Sequence, residues 1–217
     1  MKKIIGILGG IGAEASAEFY KHLIQKIQEK NIVKQNTDYP HIIINSIPAE
    51  ELYIANPNLQ PYLEGLKELE SAGASFIVMI CNTAHVFYEQ FQKEINIPLL
   101  DLRKEVTAFL NKKDINSITL LATKTTVDAN LFQPKQKQNI LENAEFIFLH
   151  ELITDYQKRK NRENIEKFRL IATKYAKKSD MLISACTELS LMLQPLNIPF
   201  IDTMDILVEA TIKAWKP

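Results

Sequence analysis

Two thiols carry the chemical signal of this 217-residue chain, and they are its only cysteines. Cys81 lies in Phe76-Ile-Val-Met-Ile-Cys-Asn-Thr-Ala-His, and Cys186 in Asp180-Met-Leu-Ile-Ser-Ala-Cys-Thr-Glu-Leu. In each, an apolar run ends at the sulfur and a small polar cluster follows. A second matching phrase comes downstream of each, Ile-Asn-Ile-Pro-Leu-Leu-Asp ending at Asp101 and Leu-Asn-Ile-Pro-Phe-Ile-Asp ending at Asp202. The thiols therefore read as equivalent points of a repeated unit. Where an apolar strand gives way to a helix, unpaired backbone N–H groups and the positive end of the helix dipole favour thiolate, in a group that otherwise titrates at about 8.5. Matched thiols of this kind suit removing a proton from one side of a carbon and returning one to the other. The same N–H groups, with the hydroxyls of Thr83 and Thr187, suit a carboxylate, and the Asn82 amide can both donate and accept.

Other residues invite chemistry less strongly. Gly6, Gly9, Gly10 and Gly12 crowd the first loop, where small residues let the backbone approach a small anionic ligand or merely make a tight turn. Gly10-Ile11-Gly12-Ala13-Glu14-Ala15 satisfies the dinucleotide pattern, but the next strand ends in Asn45-Ser46, without the acidic residue that would hold a ribose. His85 stands four residues after Cys81, on the same side of a helix that begins promptly, which raises a Cys/His pair or a metal site with Cys186; the plainer reading is a structural histidine. Glu188 either caps a helix start, orients Cys186 or binds a substrate ammonium. Lys158-Arg159-Lys160-Asn161-Arg162 reads as a solvated segment from which one cation could bind a carboxylate.

The elements that must position these groups alternate short apolar runs with longer amphipathic stretches, the pattern of parallel strands joined by crossover helices. The class is α/β. Strands are predicted at 3–8, 41–45, 76–80 and 98–100, then 117–121, 145–149, 181–185 and 199–201, four per half. Ala17, Tyr20, Ile24 and Ile27 predict a helix over 13–30 with one buried stripe, and Leu59, Tyr62, Leu63, Leu66 and Leu69 a second over 58–72 that stops at Gly73. Helices are also expected near 103–112 and 204–215. The division is then 1–102 plus 204–217 against 103–203, two pseudo-symmetric four-stranded units with a cleft between them. Lysine plus arginine equals aspartate plus glutamate at 26 each, so no net field draws nucleic acid or an anionic membrane. A small-molecule ligand is expected. No apolar run is long enough to span a bilayer and no secretion signal is visible, so the expected location is the cytoplasm with reduced thiols.

Taken together, Gly6-Ile-Leu-Gly-Gly, Met79-Ile-Cys-Asn-Thr-Ala-His, Leu120-Leu-Ala-Thr and Ala185-Cys-Thr-Glu-Leu resemble the aspartate/glutamate racemase family, most closely its aspartate racemase branch. The resemblance runs in order along essentially the whole chain. It implies cofactor-independent racemisation of an amino acid, no metal, a homodimer, and Cys81 and Cys186 as the acid/base pair. Gly9, Gly10, Ser46, Asn82 and Thr83 are the candidate substrate-binding residues of the first half, and Thr123, Thr125, Lys158, Thr187 and Glu188 those of the second. Relatives using the same thiol positions as maleate isomerases, hydantoin racemases or decarboxylases supply alternative chemistry, and a binding protein with a degenerate site is a third reading.

Departures from the family pattern bear on substrate. Ile11-Gly12-Ala13 stands where the family has Met-Gly-Pro, Ala185 where it has glycine, and Thr125 in place of the glycine of Ala-Thr-x-Gly-Thr. Ile47-Pro48-Ala49-Glu50-Glu51 carries acids where aspartate racemases carry an arginine. The thiol machinery is kept, while the clamp for a side-chain carboxylate is missing or reversed in charge.

Overall fold

The computed structural model describes residues 3–50, 52, 54, 56–157 and 164–216, the side chains of 156 and 157 excepted. Its internal contacts divide the chain into two compact units, Met1–Leu102 with Asp205–Pro217, and Arg103–Met204.

In the first unit, β1 (Ile4–Gly9) is the centre of a parallel sheet in the order β2-β1-β3, with β2 at His41–Ser46 and β3 at Phe76–Met79. Every residue of β3 is buried, as expected of a strand covered on both faces. Between β1 and β2 runs α1 (Ala13–Glu29), and between β2 and β3 runs α2 (Gln60–Ser71). Tyr62, Leu66 and Leu69 of α2 are buried, and the chain leaves that helix at Gly73 with a φ of 91°, a left-handed conformation that glycine adopts without cost. The buried stripe of α1 is Ala15, Phe19, Leu23 and Ile27. Of the stripe expected from sequence only Ile27 is buried, and Tyr20 is 42 % exposed. The expected set recurs at steps of three and four and the buried set at steps of four, both helical spacings, so periodicity alone does not choose between them; burial of the bulkier Phe19 and Leu23 does.

Residues 98–100 do not form a fourth strand here. Leu99 makes an isolated parallel bridge to Ile77, through Ile77 N–H donating to Pro98 O and Leu100 N–H donating to Ile77 O, each at 2.8 Å. The next bond of such a ladder would come from the N–H of residue 98, which proline lacks.

The second unit opens with α4 (Leu102–Asn111) and builds a four-stranded parallel sheet in the order β5-β4-β6-β7, with β4 at Ser117–Leu121, β5 at Lys137–Asn139, β6 at Met181–Ser184 and β7 at Phe200–Asp202. Short α5 (Lys124–Asp128), then α6 (Asn143–Gln157), α7 (Asn164–Ala176) and α8 (Thr187–Leu193) connect them. The apolar run 145–149, expected as a strand, belongs to α6. Phe146, Phe148, Leu149, Leu152 and Ile153 are buried while Ile147 is 62 % exposed, a helical period that emerges only when the window extends past 149. The strand beside β4 is instead the polar Lys137-Gln138-Asn139, a short edge whose composition hides it. A last helix, α9 (Thr203–Trp215), returns to α1, where Lys30 Nζ lies 3.0 Å from Glu209 and His22 Nδ1 lies 3.7 Å from Asp205.

A charge cluster joins α6 to α7. Lys174 Nζ donates to Glu142 at 2.6 Å and to Glu145 at 2.8 Å, and the Tyr175 hydroxyl donates to Glu145 at 2.6 Å. Burial pushes the Tyr175 hydroxyl up to about 12, reinforced by the Glu145 carboxylate that accepts from it. For Glu145 burial works upward, but the hydrogen bonds from Lys174 and Tyr175 outweigh it and hold the carboxyl below its usual value of 4.5. Its folded value therefore lies below the unfolded one, so its contribution to stability is present above pH ~4.3 and fades as the pH falls through the folded value. Glu145→Gln is expected to lower stability by about 1 kcal/mol near neutrality and by almost nothing at the acid end. Urea unfolding midpoints of both proteins measured across this range should converge on acidification; a constant difference would exclude the ionic role.

Candidate functional site

Each thiol leaves the sheet at the same topological point. Cys81 follows β3 and Cys186 follows β6, and each of these strands lies beside the central strand of its own sheet, β1 or β4. The matching extends to single hydrogen bonds. Ile80 N–H donates to Leu8 O at 3.0 Å and Ala185 N–H to Leu121 O at 2.9 Å, so in both units the residue just before the cysteine makes the last ladder bond. At the other end of the ladder Ser75 N–H donates to Ile4 O at 2.8 Å and Asp180 N–H to Ser117 O at 3.1 Å. Neither cysteine is in a disulfide, and both are partly exposed. The difference at the sheet edge, an isolated bridge against a three-residue strand, leaves this core of the repeat intact.

The two thiols are held differently. Cys186 is the N-cap residue of α8, and its Sγ donates to Glu188 Oε2 at 2.9 Å. The Thr187 hydroxyl donates to the same oxygen at 3.0 Å, and Glu188 is 8 % exposed. Glu188 lies in the first turn of α8 and accepts from the thiol, so its geometry fits both the helix-start reading and the thiol-orienting one. Beneath lies a hydroxyl network that sequence reasoning missed: Ser190 donates to Ser184 Oγ at 2.8 Å, Ser184 donates to Cys186 O at 3.2 Å, and Thr203 donates to Ser184 O at 3.1 Å. The signal available was Ser190 at the fourth residue after the cysteine, where His85 stands after Cys81.

Cys81 precedes a 3-10 helix, Thr83–Phe87, and α-helical winding begins only with α3 (Tyr88–Lys93). The helix start expected directly behind Cys81 is thus a tighter turn, with less dipole to offer the thiol. His85 is fully buried and its Nδ1 lies 2.8 Å from the carbonyl oxygen of Cys81. The ring engages the main chain of the cysteine. Thr83 is buried at the start of the turn, and the Asn82 Oδ1 is buried without a hydrogen-bond partner among the described residues. A buried acceptor left so costs free energy that a ligand's donor would recover.

Gly9 and Ser46 end β1 and β2 and face each other in register. Gly10 has a φ of 88°, and a Cβ there would lie 2.3 Å from Ile47 O. Its amide already donates to Ser16 Oγ at 3.0 Å, so the turn satisfies its own donor. Thr123 caps α5, with its Oγ1 accepting from Thr126 N–H at 3.3 Å and lying 3.0 Å from Thr126 Oγ1, and Thr125 is half-buried in that helix. Glu50 is exposed just past β2, its carbonyl accepting from the Tyr62 hydroxyl at 2.6 Å and its carboxylate 3.4 Å from Asn58 N. Lys158 with Arg159, Lys160, Asn161 and Arg162, and Glu51, lie outside the described residues. Among the described residues no three His, Cys, Asp or Glu side chains are grouped to hold a metal, and no helix is long and apolar enough to cross a membrane.

Comparison with known proteins identifies the family and the fold. The profile of the Asp/Glu/hydantoin racemase family matches residues 8–211. The broad specificity amino-acid racemase RacX of Bacillus subtilis is 26 % identical over 224 residues, which cover 98 % of both chains. Among solved structures, an aspartate racemase homologue from Pyrococcus horikoshii superposes with a TM-score of 0.77 at 28 % identity over 100 % of both chains. The aspartate racemase of Picrophilus torridus gives a TM-score of 0.81 at 25 % identity, covering 98 % of this chain and 94 % of its own.

Proposed function

Because the chain belongs to the Asp/Glu/hydantoin racemase family, we propose that it is an amino-acid racemase that exchanges the α-proton of its substrate between Cys81 and Cys186. The observation that carries this reading is the bond-for-bond equivalence of the two thiols, each placed one residue past the last ladder bond to its central strand. One cysteine as thiolate removes the α-proton, and the other as thiol delivers a proton to the opposite face; with the mirror-image substrate the roles exchange. The scheme asks both sulfurs to address one α-carbon. Glu188 gives the Cys186 proton an acceptor at 2.9 Å, the relation by which a buried base readies a nucleophile or a proton carrier.

The carbanion has no cofactor to delocalise it in this scheme, so donors already in place must meet the charge that grows on the substrate carboxylate. Asn82 Nδ2, the hydroxyls of Thr83 and Thr123 and neighbouring amides are assigned that role, which the Thr187 hydroxyl joins only by turning its proton from Glu188, while the buried Asn82 Oδ1 would accept from the substrate ammonium. The loops that leave β1, β2 and β3, residues 10–12, 47–59 and 80–87, hold Glu50 and Glu51 but no lysine or arginine. That composition favours a neutral or cationic side chain over a carboxylate in the first unit. The reading includes independence from pyridoxal phosphate, a cytoplasmic location and a homodimeric assembly.

Incubation with L- and D-amino acids in deuterated water, followed by NMR and chiral chromatography, tests it. α-Deuteration together with inversion is expected, faster for at least one neutral or cationic amino acid than for aspartate. Deuteration of no amino acid in the panel would overturn the reading, and a covalent substrate adduct on either cysteine would move it to isomerase chemistry.

A further inference from the structure

The fourth residue after each cysteine reaches back to that cysteine's carbonyl, and the two units do it by different means. At Cys186 the bond is the ordinary α-helical one, Ser190 N–H donating to Cys186 O at 3.1 Å. At Cys81 the corresponding backbone donor is turned away, because His85 N–H donates to Asn82 O at 3.0 Å within the 3-10 turn. The imidazole supplies a donor instead, with Nδ1 at 2.8 Å from Cys81 O. A carbonyl oxygen can only accept, so the contact requires a proton on Nδ1. The neutral ring is therefore the Nδ1–H tautomer, and a protonated ring would make the same bond.

From these facts the geometry points to His85 as a positioning residue for Cys81, fixing the Cys81–Asn82 peptide, and with it the sulfur, through a ring bond in place of a helical one. The inference rests on the two-thiol reading above. The ring is fully buried and stacks on Tyr88 with a centroid distance of 6.4 Å and an interplanar angle of 10°, and the Tyr88 hydroxyl donates to Leu99 O at 2.9 Å. The ring is thus anchored to the segment that bridges to β3, so the Cys81 turn is tied to the sheet edge at two places. No such imidazole serves Cys186, whose sulfur is oriented by Glu188. Loss of the His85 ring bond should therefore disturb one thiol and spare the other. Displacement of a reacting group by about 1 Å costs on the order of 10²-fold in rate.

His85→Phe keeps the buried ring and removes the donor, whereas His85→Asn keeps a donor at the δ position. His85→Phe is expected to lower kcat about 10²-fold with KM changed less than about threefold, and His85→Asn to restore most of it. The decisive readout is the ratio of α-deuteration to inversion for each enantiomer in deuterated water. When Cys81 is misplaced, the carbanion made by Cys186 returns to the side it came from, so one enantiomer gains deuterium without inverting. The other enantiomer inverts almost every time it exchanges. Equal ratios for both enantiomers in His85→Phe, or unchanged kcat, would overturn the inference. Should that variant not fold, ring nitrogen NMR shifts of the unmodified protein decide: protonated Nδ1 supports the role, and an Nε2–H tautomer overturns it. Absence of exchange by the unmodified protein would instead count against the racemase reading, and the tautomer would still decide His85.

Discussion

Cys81→Ser and Cys186→Ser are each expected to lower racemisation about 10³-fold or more, in both directions at once. A hydroxyl is a far weaker acid than a thiol, so at neutral pH serine supplies no anion to remove the α-proton and gives one up reluctantly. Enantiomers have equal free energy, so kcat/KM in the two directions must fall together whichever cysteine is lost. Proton exchange without inversion has no such constraint. In Cys81→Ser the surviving Cys186 should still exchange the α-proton of one enantiomer, and in Cys186→Ser the surviving Cys81 should exchange that of the other. Chiral separation followed by mass measurement of α-deuterium reads this directly. Removing both thiols should cost little more inversion than removing one, because the pair acts as a unit. Normal inversion in either single variant would exclude a two-base scheme, and exchange of the same enantiomer in both would exclude opposed thiols.

Gly10→Ala should be the most damaging single methyl group in the first unit, lowering stability by about 3 kcal/mol or more. Two costs add at this position. The φ of 88° is a region that a side chain strains, and the new Cβ would fall 2.3 Å from Ile47 O and 2.6 Å from Ile47 N. Both neighbours are backbone, so no rotamer change relieves the contact. Ile47 cannot retreat freely, since its N–H donates to Gly9 O at 3.0 Å and its side chain belongs to the apolar cluster that Leu8, Tyr62 and Phe91 form and that Cys81 borders. Relief must move either the end of β1 or the segment leading to Glu50, and activity should fall along with stability. Urea unfolding of the variant measures the first effect and the exchange assay the second. A variant as stable as the parent would show that the turn has room that its geometry denies.

How much of the molecule could be read in advance follows from what each feature depends on. The strands from 117 to 121 and from 181 onward announce themselves because they are buried along nearly their whole length and are mostly apolar. The edge strand Lys137–Asn139 does not, since a strand with one free edge and a half-exposed face tolerates any polar residue. The α6 segment shows the opposite difficulty: Phe146-Ile-Phe-Leu149, four apolar or aromatic residues in a row, fit a strand and a helix equally, and only Leu152 and Ile153 beyond them restore the helical period. Pro98 denies 98–100 a ladder bond on its N-terminal side, yet the same Ile-Pro phrase before β7 is followed by three paired residues, so the phrase alone does not set the length of the strand.

For the site, residue type and spacing were enough to single out both cysteines, their flanking Asn82, Thr83, Thr187 and Glu188, and the repeat that makes the thiols equivalents. These are properties of order along the chain, and a repeated phrase survives in any fold. Which polar group holds which thiol is a matter of angles, and angles are set by packing. The carboxylate of Glu188 turns onto Cys186 because α8 begins at once behind the strand, and the ring of His85 turns onto the Cys81 carbonyl because a 3-10 winding has taken its own N–H elsewhere. The sequence by itself determined the pair of thiols and the equivalence from which their proposed chemistry is argued. Only the tertiary structure decided that the two are held unequally, since a difference of one hydrogen bond in the first turn after each strand leaves no mark on composition or period.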